Sequence, residues 1–141
     1  SKEDVFNELV RIKEEKYKDL LIPQEAAMKA GGIAGLKILA DYCEQIISAP
    51  DEVAYFARIS TIRHYTVTNY NEAILGEDPY PNLIKLIQDG QKEGTVRYGD
   101  AREIANMFID FSNGAMYRRI VEGNDKFYPI TSASIMRIFE K

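Results

Sequence analysis

The 141-residue sequence contains no tryptophan, one cysteine (Cys43) and one histidine (His64). A single cysteine excludes an internal disulfide and is typical of proteins in reducing compartments. The longest apolar stretch, Ala30 to Ala40, carries Lys37 and is far shorter than the roughly 20 residues that cross a bilayer. We therefore expect a cytoplasmic protein without a membrane-spanning segment.

The inventory of reactive side chains is equally small. One histidine, one cysteine and no carboxylates at metal-ligand spacing leave little from which to build an active site or a metal site. The stretch Gly31-Gly32-Ile33-Ala34-Gly35 lacks the preceding strand and the Lys-Ser/Thr pair of a phosphate-binding loop. The net charge of −4 disfavours direct binding to nucleic acid. We expect no catalytic residues, no metal and no cofactor, hence a protein that is not an enzyme.

Apolar residues recur at helical spacing along most of the chain, and no pair of strands is indicated. The pattern predicts a single all-α domain over residues 1–141, a bundle of about six helices. The predicted segments are Glu3 to about Leu21, Ala30 to Ser48, Pro50 to Ile59, a helix through Leu83 and Ile87 to Glu93, Asp100 to Glu122, and a last helix from Pro129 or Ser132. β-Branched residues leave the boundaries between Ser60 and Leu75 open.

Helix ends are signalled at four places. Ser1 with Asp4, and Asp100 with Glu103, have the spacing of a capping side chain followed three residues later by an acid. A glycine in the left-handed region commonly ends a helix, so we expect Gly94 and the Gly123-Asn124-Asp125 stretch to close the helices before them.

Two stretches of the sequence stand out. The first is Ser1-Lys2-Glu3-Asp4-Val5-Phe6, and the second runs from Leu83 to Asp100, with Gly90-Gln91, Gly94-Thr95-Val96-Arg97 and Asp100. The first is similar to the segment that follows the recognition helix of the DNA-binding domain in the tetracycline-repressor-like (TetR) family of transcriptional regulators. The second is similar to the connection before that family's long penultimate helix.

The resemblance implies the effector-sensing and dimerisation domain of a bacterial regulator, with residues 1–22 as the helix that joins it to an absent N-terminal helix-turn-helix. The last two helices, Asp100–Glu122 and Pro129–Lys141, would pack against their copies as a four-helix homodimer interface. DNA would be bound only through the absent domain. The expected interface residues are Met107, Phe111, Gly114, Met116, Ile135, Ile138 and Phe139.

Fifteen aromatic residues, nine of them tyrosines, indicate a mixed-polarity pocket for a small, largely hydrophobic or aromatic effector. The candidate ligand-binding residues are Tyr42, Phe56, His64, Tyr65, Tyr70, Phe108, Phe111 and Tyr117. For each aromatic taken alone, packing in the core is the better interpretation, and the same holds for His64 and Cys43.

Two other interpretations are considered beside the sensor domain. An enzyme on a helical bundle is disfavoured by the small inventory of reactive side chains. A helical protein–protein interaction module without a small-molecule ligand remains the alternative.

Arg118-Arg119 fits an anion or partner site, but such a pair is more typical of a solvated helix end that complements the helix dipole.

Overall fold

A computed structural model describes residues 1–16, 23–50, 80–123 and 130–141. Six helices form within these ranges: α1 (Lys2–Lys16), α2 (Gln24–Ala30), α3 (Gly32–Ile47), α4 (Tyr80–Glu93), α5 (Ala101–Glu122) and α6 (Ser132–Met136). The one β-type pairing among the described residues is an isolated antiparallel bridge between Val96 and Glu140. The predicted all-α class is confirmed.

Helix α1 begins as its sequence predicts. The Ser1 hydroxyl accepts a hydrogen bond from the Asp4 amide at 3.2 Å, and the Asp4 carboxylate accepts one from the terminal ammonium at 3.1 Å. The first of these bonds satisfies an amide that has no partner within the helix. Val5, Leu9 and Ile12 form an apolar stripe that remains 49–62% exposed. The expected end of the helix near Leu21 lies outside the described residues.

The predicted helix from Ala30 to Ser48 corresponds to α3, which begins two residues later, and the short helix α2 before it was not predicted. Gly31 adopts φ +73°, outside the helical region, and so separates the two elements. Further along, α3 passes so close to α2 that a Cβ at Gly35 would collide with the carbonyl oxygen of Ala27 and lie 2.7 Å from Leu86 Cδ2. Gly31 and Gly35, two glycines of the stretch that was compared with a phosphate-binding loop, therefore have structural roles.

The connection between α4 and α5 is tied to the end of the chain. Gly94 ends α4 at φ +78°, as expected. The Arg97 amide donates to the carbonyl of Phe139 at 2.8 Å, and its Nε donates to the carbonyl of Ile138 at 2.7 Å. Gln91 donates to the carbonyls of Arg97 and Gly99. The loop that the resemblance singled out is thus fixed on both sides.

Helix α5 has the predicted bounds. The Asp100 carboxylate accepts hydrogen bonds from the amides of Arg102 (2.8 Å) and Glu103 (3.3 Å), and Gly123 ends the helix at φ +74°. The last helix is shorter than expected. Thr131 caps α6 at its start, and after Met136 the chain leaves the helix to pair Glu140 with Val96.

Helix α3 occupies the centre and packs against α2, α4, α5 and α6. The larger apolar cluster joins all five of these helices, and its fully buried members include Leu36, Leu86, Ile87, Ile104, Ile135 and Phe139. A smaller cluster lies at the far end of α3 and α5, where Ile46 and Ile47 meet Ala115 and Met116. The helix expected over Pro50 to Ile59 and the open boundaries up to Leu75 fall outside the described residues.

Gly35→Ala tests the close approach of α2 to α3. The added methyl group would meet a backbone oxygen, which cannot rotate away, so we expect a loss of about 1–3 kcal/mol in the free energy of unfolding. Urea denaturation measures this loss. Ala34→Ser, at the exposed neighbouring position, should change stability by less than about 0.5 kcal/mol. Equal stability of both variants would contradict the contact.

Candidate functional site

The outer face of α5 carries the most extended apolar surface on a helix that is otherwise part of the core. Met107, Phe111, Tyr117 and Val121 are exposed by 47, 37, 59 and 64%. With Gly114 between them, they follow one another at intervals of three or four residues, which places them on one side of a helix. We call these five residues the outer stripe.

The opposite face of α5 explains why the stripe points outward. Ile104, Ala105 and Phe108 are buried in the larger cluster, and Ala115 and Met116 in the smaller one. This inner face holds the helix against α3 and α4. A helix with one face fixed in this way leaves the other to water or to a partner, and contiguous apolar residues on an outward face are typical of an interaction surface.

Gly114 lies in the middle of the stripe and has no evident role in packing this chain. Among the described residues, no atom lies within 4 Å of a Cβ built at this position. A glycine inside a helix costs about 0.5–1 kcal/mol relative to alanine. Unlike Gly35, therefore, Gly114 lowers helix stability without relieving a collision inside the chain. Its position suits the close approach of another helix.

The seven expected interface residues separate into two groups. Met107, Phe111 and Gly114 lie in the outer stripe. Met116, Ile135 and Phe139 are buried in the chain's own core, and Ile138 is half-buried against it. As placed, the three buried side chains stabilise the single chain and present no surface to a partner.

The eight candidate ligand residues do not line one cavity in the part of the chain described. Phe108 is in the larger cluster, with its ring centroid 5.3 Å from that of Phe139. Phe111 and Tyr117 belong to the outer stripe, and Tyr42 packs against the smaller cluster. The other four, Phe56, His64, Tyr65 and Tyr70, fall outside the described residues. The pocket stays a prediction.

An open cleft of about 570 Å³ lies where α4 and α5 begin. It is lined by Pro81, Ile84, Gln88, Asp100, Ala101 and Arg102. None of the predicted aromatic residues contributes to it. The Asp100 carboxylate accepts the two amide hydrogen bonds that cap α5 through Oδ1, so this side chain has a structural role at the edge of the cleft.

Arg119 was grouped with Arg118 as a solvated pair, and this is wrong for Arg119. Its side chain is buried, with Nε donating to the carbonyl of Ile47 at 3.2 Å and a terminal nitrogen donating to the carbonyl of Ala49 at 3.0 Å. These carbonyls lie at the C-terminal end of α3, where the helix dipole favours a positive charge. Arg118 is exposed, as expected.

Two titratable side chains near this contact are held in their neutral forms. Burial raises the pKa of the Tyr42 phenol above its usual value. Burial also raises the pKa of Cys43 to about 11, although a hydrogen bond with Ser112, 3.7 Å from sulfur to oxygen, opposes the rise. A thiol with a raised pKa is a poor nucleophile, so Cys43 fits the packing role assigned to it.

Within the described ranges, no helix is long and apolar enough to cross a membrane, and no three potential metal ligands come together.

Comparison of the chain with protein-family models, curated proteins and solved structures finds no match. Two members of the outer stripe are not predicted as interface residues from the sequence. Tyr117 is predicted to line the pocket, and Val121 has no predicted role, although it lies seven residues after Gly114 on the same helix.

Arg119→Met tests the contact between α5 and the end of α3. Loss of the guanidinium leaves two carbonyl oxygens without their donor, so we expect a loss of at least about 2 kcal/mol in the free energy of unfolding. Arg102→Met, at an exposed position in the first turn of the same helix, serves as the control and should cost much less. If the two variants lose the same stability in urea denaturation, the buried contact is not significant.

The raised pKa of Cys43 predicts a pH dependence of stability. The folded thiol titrates near pH 11, whereas an unfolded thiol titrates near about 8.5. The unfolded state therefore loses its proton first, and the stabilisation present below pH 8.5 falls as the pH rises towards 11. Between pH 8.5 and 10 the unfolding free energy should fall more steeply in the native chain than in Cys43→Ala. Parallel profiles would contradict the burial of the thiol.

Proposed function

We propose that this chain is the dimerisation and effector-sensing domain of a TetR-like transcriptional regulator. The outer stripe of α5 carries this proposal. Helix α5 is the helix that the resemblance assigns to subunit contact, and its exposed apolar residues are accompanied by Gly114, beside which the described residues leave open space. A second copy of the chain accounts for both features.

The switching part of the proposal follows from the two faces of α5. The inner face packs against α3 and α4, while the outer face would meet the partner. An effector that alters the packing of α3 against α5 would change the geometry of the dimer and, with it, the spacing of two attached DNA-binding domains. Such a ligand acts only by binding one arrangement more tightly than the other.

A small, largely hydrophobic or aromatic effector remains part of the proposal on the strength of the sequence. Tyr42 is the described candidate best placed for it, since it is half-buried where α3 approaches the smaller cluster. Native mass spectrometry of the purified chain tests this part directly. A stoichiometric small-molecule adduct would support it. Repeated preparations free of any adduct, together with no binding from an aromatic compound library, would favour the interaction module.

Phe111→Glu tests the role of the outer stripe. The new carboxylate would be buried opposite another apolar surface in a dimer but remains in water in a monomer, so we expect a weakening of self-association of at least tenfold. Sedimentation equilibrium over micromolar concentrations measures the change, because an interface formed by one helix face is at the small end of specific contacts.

Tyr98→Glu is the matched control for this experiment. Tyr98 is 76% exposed on the loop between α4 and α5, outside the stripe, so its substitution should leave self-association unchanged. Circular dichroism of both variants establishes that the fold is retained. A Phe111→Glu variant that associates like the native chain would overturn the proposed interface. A native chain that stays monomeric throughout would remove the dimer itself.

A further inference from the structure

The outer stripe has a symmetric arrangement about Gly114. Met107 and Val121 lie seven residues before and after it, and Phe111 and Tyr117 lie three residues before and after it. All four side chains are exposed. In an antiparallel pair of helices related by a twofold axis, a residue a given number of positions before the axis lies level with the residue the same number of positions after it in the other copy.

Charge follows the same symmetry. Asp110 lies four residues before Gly114 and Arg118 four residues after it, and both are exposed on α5. Antiparallel pairing brings each acid level with a base of the other subunit, twice per dimer. Parallel pairing would bring Asp110 level with Asp110 and Arg118 level with Arg118, which places like charges together at both positions.

We propose that two copies of this chain pair through antiparallel α5 helices on a twofold axis at Gly114, with Asp110 of each chain facing Arg118 of the partner subunit. Gly114 allows the two helix backbones to approach at the axis, where a larger side chain would hold them apart. Each half of the stripe then packs on the opposite half of the partner's stripe. The inference rests on the proposed homodimer and specifies its orientation and register.

Charge reversal tests the ionic part of this arrangement. Asp110→Arg and Arg118→Asp each place like charges together at two equivalent points, so each should weaken dimerisation by about tenfold at low salt. The double variant Asp110→Arg/Arg118→Asp exchanges the charges and should restore dimerisation to within about threefold of the native value. The single-variant losses should shrink at 1 M salt, where such charges are screened.

Arg102→Asp is the matched control for charge reversal. It makes the same change in net charge as Arg118→Asp, at an exposed position of α5 that lies outside the stripe and lines the cleft. Its dimerisation constant should equal the native one. A double variant that dimerises no better than the single variants would overturn the proposed pairing of Asp110 with Arg118.

Disulfide trapping tests the orientation. In an antiparallel pair, Met107→Cys in one chain lies level with Val121→Cys in the other, so an oxidised mixture of the two variants should give a mixed disulfide dimer. Each variant alone should not cross-link, because fourteen residues of helix separate the two equivalent sulfurs by about 21 Å, whereas a disulfide needs Cα atoms within about 7 Å. The native chain, with its buried Cys43, is the blank.

The outcomes separate this inference from the function on which it rests. Cross-linking of each variant with itself would show parallel pairing and overturn the register, while the dimer would stand. A dimer that Phe111→Glu disrupts but that gives neither pattern of cross-links would also overturn the register alone. A chain that is monomeric at every concentration would overturn both the register and the dimer.

Discussion

The direction in which α5 presents its two faces depends on the way its C-terminal half is held against the end of α3. Arg119 provides that attachment by donating to the carbonyls of Ile47 and Ala49, beside the small apolar cluster. A buried guanidinium has fixed donor directions, so it restrains the rotation of a helix more than apolar contacts of similar area. At the other end of α5 the attachment is apolar, through Ile104 and Phe108 in the larger cluster. The helix is therefore held at both ends, and these two attachments determine the direction in which its outer face points.

The loop before α5 and the last residues of the chain are joined to each other by hydrogen bonds. Val96 is fully buried, and a Cβ at Gly90 would collide with its side chain. With a larger residue at position 90, the loop could not keep its present position. Arg97 then joins this loop to the carbonyls of Ile138 and Phe139. These bonds use the polar groups of the final segment within the chain. They hold the final segment, with Ile135 and Phe139, against the core of the chain itself.

The sequence predicted those features that depend on neighbouring residues. The Ser1 and Asp100 caps, the glycines that end α4 and α5, and both bounds of α5 follow from local hydrogen bonding and backbone preference. The short helix α2 was not predicted, because its seven residues bury only the side chain of Ala27 and so show no apolar periodicity. The burial of Arg119 was also missed, since it depends on carbonyl groups some seventy residues away in the chain.

The candidate site was only partly predictable because apolar spacing does not distinguish a core from an interface. Met107 and Met116 lie on the same helix and have the same side chain, yet the first is 47% exposed and the second is in the smaller cluster. The difference in exposure arises because α3 and α4 cover one face of α5 and leave the other face uncovered. The symmetry about Gly114, by contrast, is present in the sequence, but it acquires meaning only once both halves of the stripe are known to share the exposed face.

The two faces of α5 also set a thermodynamic condition on the proposed switch. In the proposed dimer, α5 would contribute to the core on one side and to the subunit contact on the other. If the two packings of α3 against α5 differ in their affinity for a second subunit, a ligand that favours one packing changes the dimerisation free energy by the same coupling energy with which dimerisation changes ligand affinity. Arg119 ties α5 to the end of α3, so in this proposal it is the contact through which a change in that packing would reach the outer stripe.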